Sequence, residues 1–302
     1  MKIRKSILAG TAAVVAAGVL TACSGSSGSS ADTSGATPKD SASSSASAAG
    51  VQLPPDSAKG DLVAPMVIGY PPYAMLESGK PVGVDVDLAD ALSGPFGKTV
   101  KQRKDSFENA LLGVNRGTYF GVFGADVTAE REKAFDQVAF LEDHYEFLSL
   151  KDSPALGTSM DALCGKKISM VAASSSVPVL KQQSADCVKA GKPAVDVKTF
   201  ADQGAATLAV RSKQVDATTA TVTNLGYVAK QSGDVFTLGG PRYLSVYIGV
   251  ATKKGNGMAQ AVADGLDALI KDGSYQKILE RYGVEKAGVT KALVNPTPNP
   301  TH

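Results

Sequence analysis

Apolar residues fall along this chain in three regimes. They run almost unbroken from Ile7 to Leu20, bulky ones nearly vanish from 24 to about 60, and from Asp61 onward they return in short blocks. Helical spacing marks Val84, Leu88, Ala91 and Leu92, with acids in the first turn where the helix dipole favours them. Phe107, Leu111 and Leu112 begin a second helix ending near Gly117, and Tyr119 to Phe123 reads as a buried strand. Leu62-Val63-Ala64 is a short strand closed by Pro65. After a less regular stretch, Lys167 to Val171 predicts a strand that runs through Ser174-Ser175-Ser176 into a helix around Val179 to Ala185; small hydroxyl residues there form a natural N-cap. A second α/β unit follows: strand Val195 to Phe200, helix Ala205 to Val210, strand Val215 to Thr219 and helix Leu225 to Lys230. Tyr247 to Thr252 is another strand. Met258 to Ile270 and Ser274 to Arg281 are helices broken at Asp272-Gly273, and Pro296 to Pro300 is a frayed tail. Alternating strands and helices predict an α/β architecture.

The first two regimes carry an address. Lys2, Arg4 and Lys5 precede an apolar run of 14 residues, shorter than the roughly 20 a membrane-spanning helix needs. Leu20-Thr21-Ala22-Cys23 closes it, so residues 1–22 read as an export signal. The four closing residues resemble the bacterial lipobox, which implies that Cys23 is lipidated and becomes the mature N-terminus. Diacylation would give a stable anchor, since more than one chain is needed. Residues 24–60, rich in Ser, Gly, Ala, Asp and Thr, cannot bury enough surface to offset ordering, and are expected to be a disordered linker.

Charge and cysteines narrow the rest. Three of the 31 Lys and Arg lie in the signal and none of the 29 Asp and Glu does, so the mature chain carries 28 against 29, a net −1. Without a basic run, nucleic-acid binding is not expected. With Cys23 assigned to lipid, Cys164 and Cys187 remain as a pair; in an exported protein two such cysteines are expected to form a disulfide. The histidines are His144 and His302, with no Cys/His cluster, so no metal, cofactor or Ser/His catalytic apparatus is expected.

Four blocks stand in order: Tyr70-Pro71-Pro72-Tyr73, Gly83-Val84-Asp85-Val86-Asp87-Leu88, Thr128-Ala129-Glu130-Arg131, and Asp272-Gly273-Ser274-Tyr275. Together they resemble the extracellular solute-binding proteins of amino-acid ABC transporters, family 3, from about Leu62 to Gly283. The resemblance implies a periplasmic-binding-protein-like fold of type 2, with two α/β lobes joined by two crossover strands and closing over a ligand. Lobe I would comprise 61–150 plus 246–283, lobe II 151–245, and 284–302 a flexible tail. It also implies a monomer that captures a small amino acid or related carboxylate for an ABC permease, touching the membrane through its lipid alone.

Residue by residue, Arg131 matches the clamp on a ligand carboxylate, a role suited to a rigid, always-charged fork. Thr128 belongs to the same loop. Tyr70 and Tyr73 match the aromatics that stack on the ligand; Ser174 and Ser175 match hydroxyl residues at a helix N-terminus. Four departures stand out. Val67 and Thr221 occupy positions where the family usually places acids, Asp126 lies near a position where Ser or Thr is usual, and the strand entry reads Gly117-Thr118-Tyr119-Phe120. These changes argue against a standard site for basic amino acids, a buried cation needing a paired acid, and make Asp126 the candidate for the missing negative charge. Two other functions follow from the resemblance: a degenerate receptor serving as a surface sensor or interaction lipoprotein, and a dehydratase of cyclic acids on the same fold, with Asp126 and Glu77 as its acid-base candidates.

Overall fold

A computed structural model describes residues 50–297. The export signal, Cys23 and residues 24–49 of the expected linker lie outside the described residues. The remainder of that linker is not featureless. Pro55–Lys59 is a helix with Pro at its first turn, Asp56 near its start and Lys59 near its end, all favoured positions. Its carbonyls at Ser57 and Ala58 each accept from Lys98 Nζ at 2.9 Å, and Val51 N donates to Pro95 O at 3.0 Å, which ties the segment to the folded body.

Two long antiparallel strands, Phe135–Leu150 and Phe236–Lys253, form the spine. They pair with each other from Phe135↔Lys253 to Leu150↔Phe236. At one end, lobe I, Tyr247 to Thr252 pairs with Gly121–Val127, while Leu62–Met66 pairs in parallel with Val100–Lys104. At the other, lobe II, Tyr145 to Ser149 pairs with Ala217–Thr221, which continues in parallel to Lys167–Val171 and Asp196–Phe200. Between the two ends the pairing is interrupted on both sides of Tyr243, and Leu244 adopts a left-handed φ of 52°. That conformation is uncommon for a non-glycine residue, and it marks the seam between the lobes.

The chain therefore has the two-lobed type 2 architecture with two crossover strands. Sequence patterning revealed only six residues of one crossover and none of the other. Phe135–Leu150 is buried over most of its length, including runs on both faces, and carries Glu142, Asp143, His144 and Glu146, so it shows neither clean alternation nor an apolar block. The lobe I core joins Leu62, Leu88, Leu92, Leu141 and Leu266 to a chain of aromatic contacts, Phe96–Phe120–Phe123–Phe140, with ring centroids 6.0, 6.2 and 6.3 Å apart. In lobe II, Leu148, Val210, Leu225 and Phe236 form a satellite core.

Cys164 and Cys187 are joined, tying the end of the Met160–Leu163 turn to the helix Ser176–Lys189. The expected flexible tail is corrected. Gly288–Val294 is a strand on Phe135–Leu150, with Gly288↔Leu141 and Val294↔Val138 paired and Ala292 buried. Its anchor is long-range: Ala292 N donates to Asp267 Oδ1 at 2.7 Å, a contact no local pattern announces. Residues 298–302 lie outside the described residues. Among the described residues no helix is long and apolar enough to cross a membrane.

Candidate functional site

Lobe II presents the ends of three parallel strands to the cleft. Lys167–Val171, Asp196–Phe200 and Ala217–Thr221 are each followed by a helix starting at Ser176, Gln203 or Val222. Ligands of open α/β sheets bind at the carboxyl ends of strands, and helix N-termini there present backbone N–H groups and a partial positive charge. Val171, Ser174, Asp202, Gln203, Thr219 and Thr221 accordingly line the cavity between the lobes. The serines do not cap as expected. Ser175 has helical φ/ψ and makes no side-chain cap bond, while Ser174 Oγ accepts from Ser176 N at 3.3 Å. The hydroxyl of Ser175 is instead turned across the cleft, donating to Asp126 Oδ2.

Lobe I contributes Val67, Tyr70, Tyr73, Asp85, Phe107 and Asp126 to the same cavity. Asp126 lies on Gly121–Val127, buried, and its carboxylate also accepts from Tyr145 OH at 2.8 Å. Arg131 sits behind it. Thr128 caps the short helix Ala129–Glu132 by accepting from Arg131 N at 3.1 Å, which fixes where the arginine starts. The guanidinium donates to Asp126 O at 2.8 Å and to Ala173 O of lobe II at 2.9 Å, lies 3.6 Å from Asp126 Oδ2, and stacks over Phe107 at 5.2 Å. Its side chain is 10% exposed. Arg131 and Asp126 therefore form a compensated pair at one edge of the cleft, contacted by both lobes.

The aromatic loop bridges the lobes as well. Tyr70 OH lies 3.1 Å from Thr221 Oγ1 and accepts from Thr221 N at 3.2 Å, so it meets the N-terminus of the helix Val222–Gln231. Tyr73 OH donates to Asp143 Oδ2 at 2.8 Å on the first crossover strand, where burial raises the Asp143 carboxyl. Burial likewise pushes the hydroxyls of Tyr70, Tyr73 and Tyr145 upward, keeping them neutral donors at ordinary pH.

Of the residues singled out from sequence, Asp126, Tyr70, Tyr73, Ser174 and Thr221 share one cavity, and Arg131 and Ser175 touch Asp126 from behind and across. Thr128 acts through Arg131 and does not line the cavity. Glu77 is exposed on the hairpin strand Met75–Glu77 and lies outside the cavity lining, which removes it as a partner for Asp126 in acid-base chemistry.

Val67 and Thr221 both line the cavity, and neither carries an acid into it. Other acids take part. Asp85 enters because Gly83, at φ 138°, lets the backbone approach Tyr73 so closely that a Cβ would sit 2.1 Å from its carbonyl oxygen. Val84 N and Asp85 N then donate to Pro72 O and Tyr73 O at 3.1 and 2.9 Å. Burial raises the Asp85 carboxyl to about 7, and its Oδ1 is sealed from solvent with no hydrogen-bond partner. Asp202 caps its helix, accepting from Ala205 N at 2.8 Å, and Gln203 beside it is 1% exposed. Sequence reading took Asp85 only as a first-turn acid and left Asp202 and Gln203 aside. The available signal for Asp85 was its place between two apolar residues, Val84 and Val86, that are both buried.

The family description "Bacterial extracellular solute-binding proteins, family 3" matches residues 62–285. The chain belongs to this family. A curated relative, the arginine-binding protein ArgT of Corynebacterium glutamicum, is 25% identical over 232 residues, 76% of this solute-binding protein and 76% of that relative. Among solved structures, an ancestral arginine-binding protein bound to arginine is 27% identical with a TM-score of 0.67, covering 74% of this chain and 98% of its own. The same description bound to glutamine gives 27% identity and a TM-score of 0.66, covering 75% and 99%. These relatives are solute-binding proteins, and the cleft between the lobes is where the geometry of this family member concentrates its buried polar groups.

Proposed function

We propose that this solute-binding protein captures an amino acid in the cleft between its lobes and delivers it to an ABC permease, held at the extracytoplasmic face of the membrane by a lipid on Cys23. The observation that carries this reading is the polar seam at Asp126. Its carboxylate meets Arg131 of its own lobe and Ser175 of the other, so a zwitterion placed there would find an acceptor for its ammonium beside donors for its carboxylate. Arg131 has five N–H donors; Asp126 O and Ala173 O engage two of its nitrogens, and the remaining hydrogens suit a carboxylate. The named relatives bind arginine, and one ancestral protein was solved with either arginine or glutamine, which supports an amino-acid ligand.

Thermal melting against a panel of amino acids and small amines tests capture. A true ligand at a hundredfold excess over Kd stabilises by about 2.7 kcal/mol, and a panel without any shift rejects the reading. Replacement of Cys23 by Ala releases the protein from the membrane fraction if the anchor is lipid; retention there rejects the anchor.

A second reading has its own support. Tyr70 and Thr221 satisfy each other directly across the cleft, a contact between the lobes made by the protein's own groups. It favours a degenerate receptor that acts as a surface sensor or interaction lipoprotein. Retention of partner binding by the Arg131→Ala protein, without any detectable small-molecule binding by the parent, would favour this alternative.

A further inference from the structure

The end of the chain reaches the polar pair of the cleft from behind. Gly288–Val294 runs along the crossover strand Phe135–Leu150, and the next residue, Asn295, closes on Gln137 twice. Asn295 N donates to Gln137 O at 2.7 Å, and Asn295 Oδ1 accepts from Gln137 N at 2.7 Å. Its φ of 45° is left-handed, a conformation that asparagine adopts more readily than most residues. Asn295 Nδ2 also donates to Asp136 Oδ1 at 3.2 Å. Both backbone groups of Gln137 are therefore held by one residue of the C-terminal segment.

Gln137 is 0% exposed and is followed by buried Val138, Ala139 and Phe140. Packing alone would favour another apolar residue there, because burying an amide is costly unless both of its ends find partners. Both ends do. Gln137 Oε1 accepts from Thr128 N at 3.2 Å, and Nε2 donates to Asp126 O at 2.8 Å. The amide thus spans Val127 and binds the backbone of the residue on each side of it. Those two residues set out the polar pair. Asp126 carries the carboxylate, its carbonyl also accepts from Arg131 Nη1 at 2.8 Å, and Thr128 Oγ1 accepts from Arg131 N at 3.1 Å. Neither Gln137 nor Asn295 lines the cavity, so their effect on a ligand passes through Asp126, Thr128 and Arg131.

We propose that Gln137 is a positioning residue for the Asp126–Arg131 pair, and that the C-terminal strand braces it through Asn295, which makes the end of the chain part of the binding apparatus. Its consequence for binding rests on the capture reading above, whereas the brace itself is measurable without a ligand. A recognition pair acts only when held within about 0.5 Å of its productive geometry, and hydrogen bonds from outside the cavity supply that precision. The charged groups around this chain of bonds are Asp126 and Arg131 toward the cleft, and Asp136, Lys254 and Glu132 toward the C-terminal segment.

Hydrogen exchange read by NMR on the full chain, without ligand, tests the brace. In Gln137→Met, Thr128 N loses its acceptor, and exchange at Thr128 and Arg131 is expected to rise by about fivefold, the factor one hydrogen bond is worth, with the amides of Leu62–Met66 unchanged. Asn295→Gly keeps a left-handed backbone and removes the side chain. It should give a smaller rise of the same sign, and it decides the matter if Gln137→Met does not fold. An unchanged rate at Thr128 and Arg131, or an equal rise across Leu62–Met66, overturns the proposal.

Titration calorimetry with L-arginine and L-glutamine as probes tests the bearing on capture. Gln137→Glu supplies a pH signature that lost packing does not. An ionised glutamate accepts from Thr128 N but cannot donate to Asp126 O, and it sets a second negative charge beside Asp126; its protonated form regains a donor. Affinity relative to the parent should be at least about tenfold lower at pH 8 and recover as pH falls toward 5, whereas the loss in Gln137→Met is the same at both. A ratio for Gln137→Glu that does not vary with pH overturns the positioning role. If neither probe binds the parent while exchange at Thr128 and Arg131 responds as expected, capture of these amino acids fails and the brace stands.

Discussion

The two walls of the cleft are built on different physical terms. Lobe I brings aromatic rings and carboxyl groups: Tyr70, Tyr73, Phe107, Asp85 and Asp126, with the charge of Arg131 behind them. Lobe II brings mostly neutral hydroxyl and amide groups at the starts of three helices, with Asp202 as its acid. A full charge needs a rigid, desolvated setting to act strongly, and the continuous lobe I core supplies one beneath Asp85 and Asp126. Helix N-termini carry only partial charge, so a wall made of them can move onto a ligand and away again without exposing an unpaired ion. Lobe I is thus suited to set which charges a ligand bears, and lobe II to report its arrival by closing.

The sharpest way to break this contrast is Arg131→Ala. It leaves Asp126 buried without its counter-charge, and breaking a buried pair this way costs about 3–5 kcal/mol. Chemical denaturation should show that loss together with loss of amino-acid binding; a variant that stays stable and binds normally would show that the pair is incidental. Next is the Cys164–Cys187 bridge, on lobe II. Replacing both with Ser should cost about 3 kcal/mol by releasing a closed loop, yet affinity should fall little because neither cysteine lines the cleft. A large change in ligand preference would contradict the division of labour.

Asp85 sharpens the comparison through pH. Burial raises its folded-state pKa to about 7 from an unfolded value near 4, so the native state holds the extra proton between those limits. This group's contribution to stability is therefore greatest in acid and is lost as pH rises through 7. Asp85→Asn should stabilise the empty protein by about 1–3 kcal/mol above pH 7, with the gain shrinking as pH falls toward 4. A gain independent of pH in denaturant midpoints measured at pH 8 and 5 would refute the assignment. The smallest expected effect is Tyr70→Phe, which removes the contacts to Thr221 and should cost about 1 kcal/mol. Small-angle scattering should then show a more open empty protein; an unchanged radius of gyration would mean that the bond does not hold the lobes together.

Local signals served well where a helix or strand is decided by its own residues. Val84–Ala91, Phe107–Asn115, Lys167–Val171 and Met258–Asp272 fall where spacing put them, and the Asp272-Gly273 break separates two helices as expected. Elements that owe their form to distant partners were hidden. Phe135–Leu150 is a strand because three other strands pair with it, and Gly288–Val294 is one because that spine offers it an edge. The aromatic-Pro-Pro-aromatic turn brings Tyr70 and Tyr73 to one cavity and the Thr-Ala-Glu-Arg loop brings Arg131 to the pair that supports it, because each motif is a local structure.

By itself, then, the sequence determined the α/β alternation, the pairing of Cys164 with Cys187, and the family to which residues 62–285 belong. Those features depend on composition and on patterns spanning a few turns of chain. Only the tertiary structure decided the chemistry of the cleft. Asp85 and Gln203 stand 118 positions apart in number and on different lobes, and their acceptors become significant only because folding seals them from water in one cavity. Desolvation is a property of the surrounding fold, and no spacing along a chain encodes it locally.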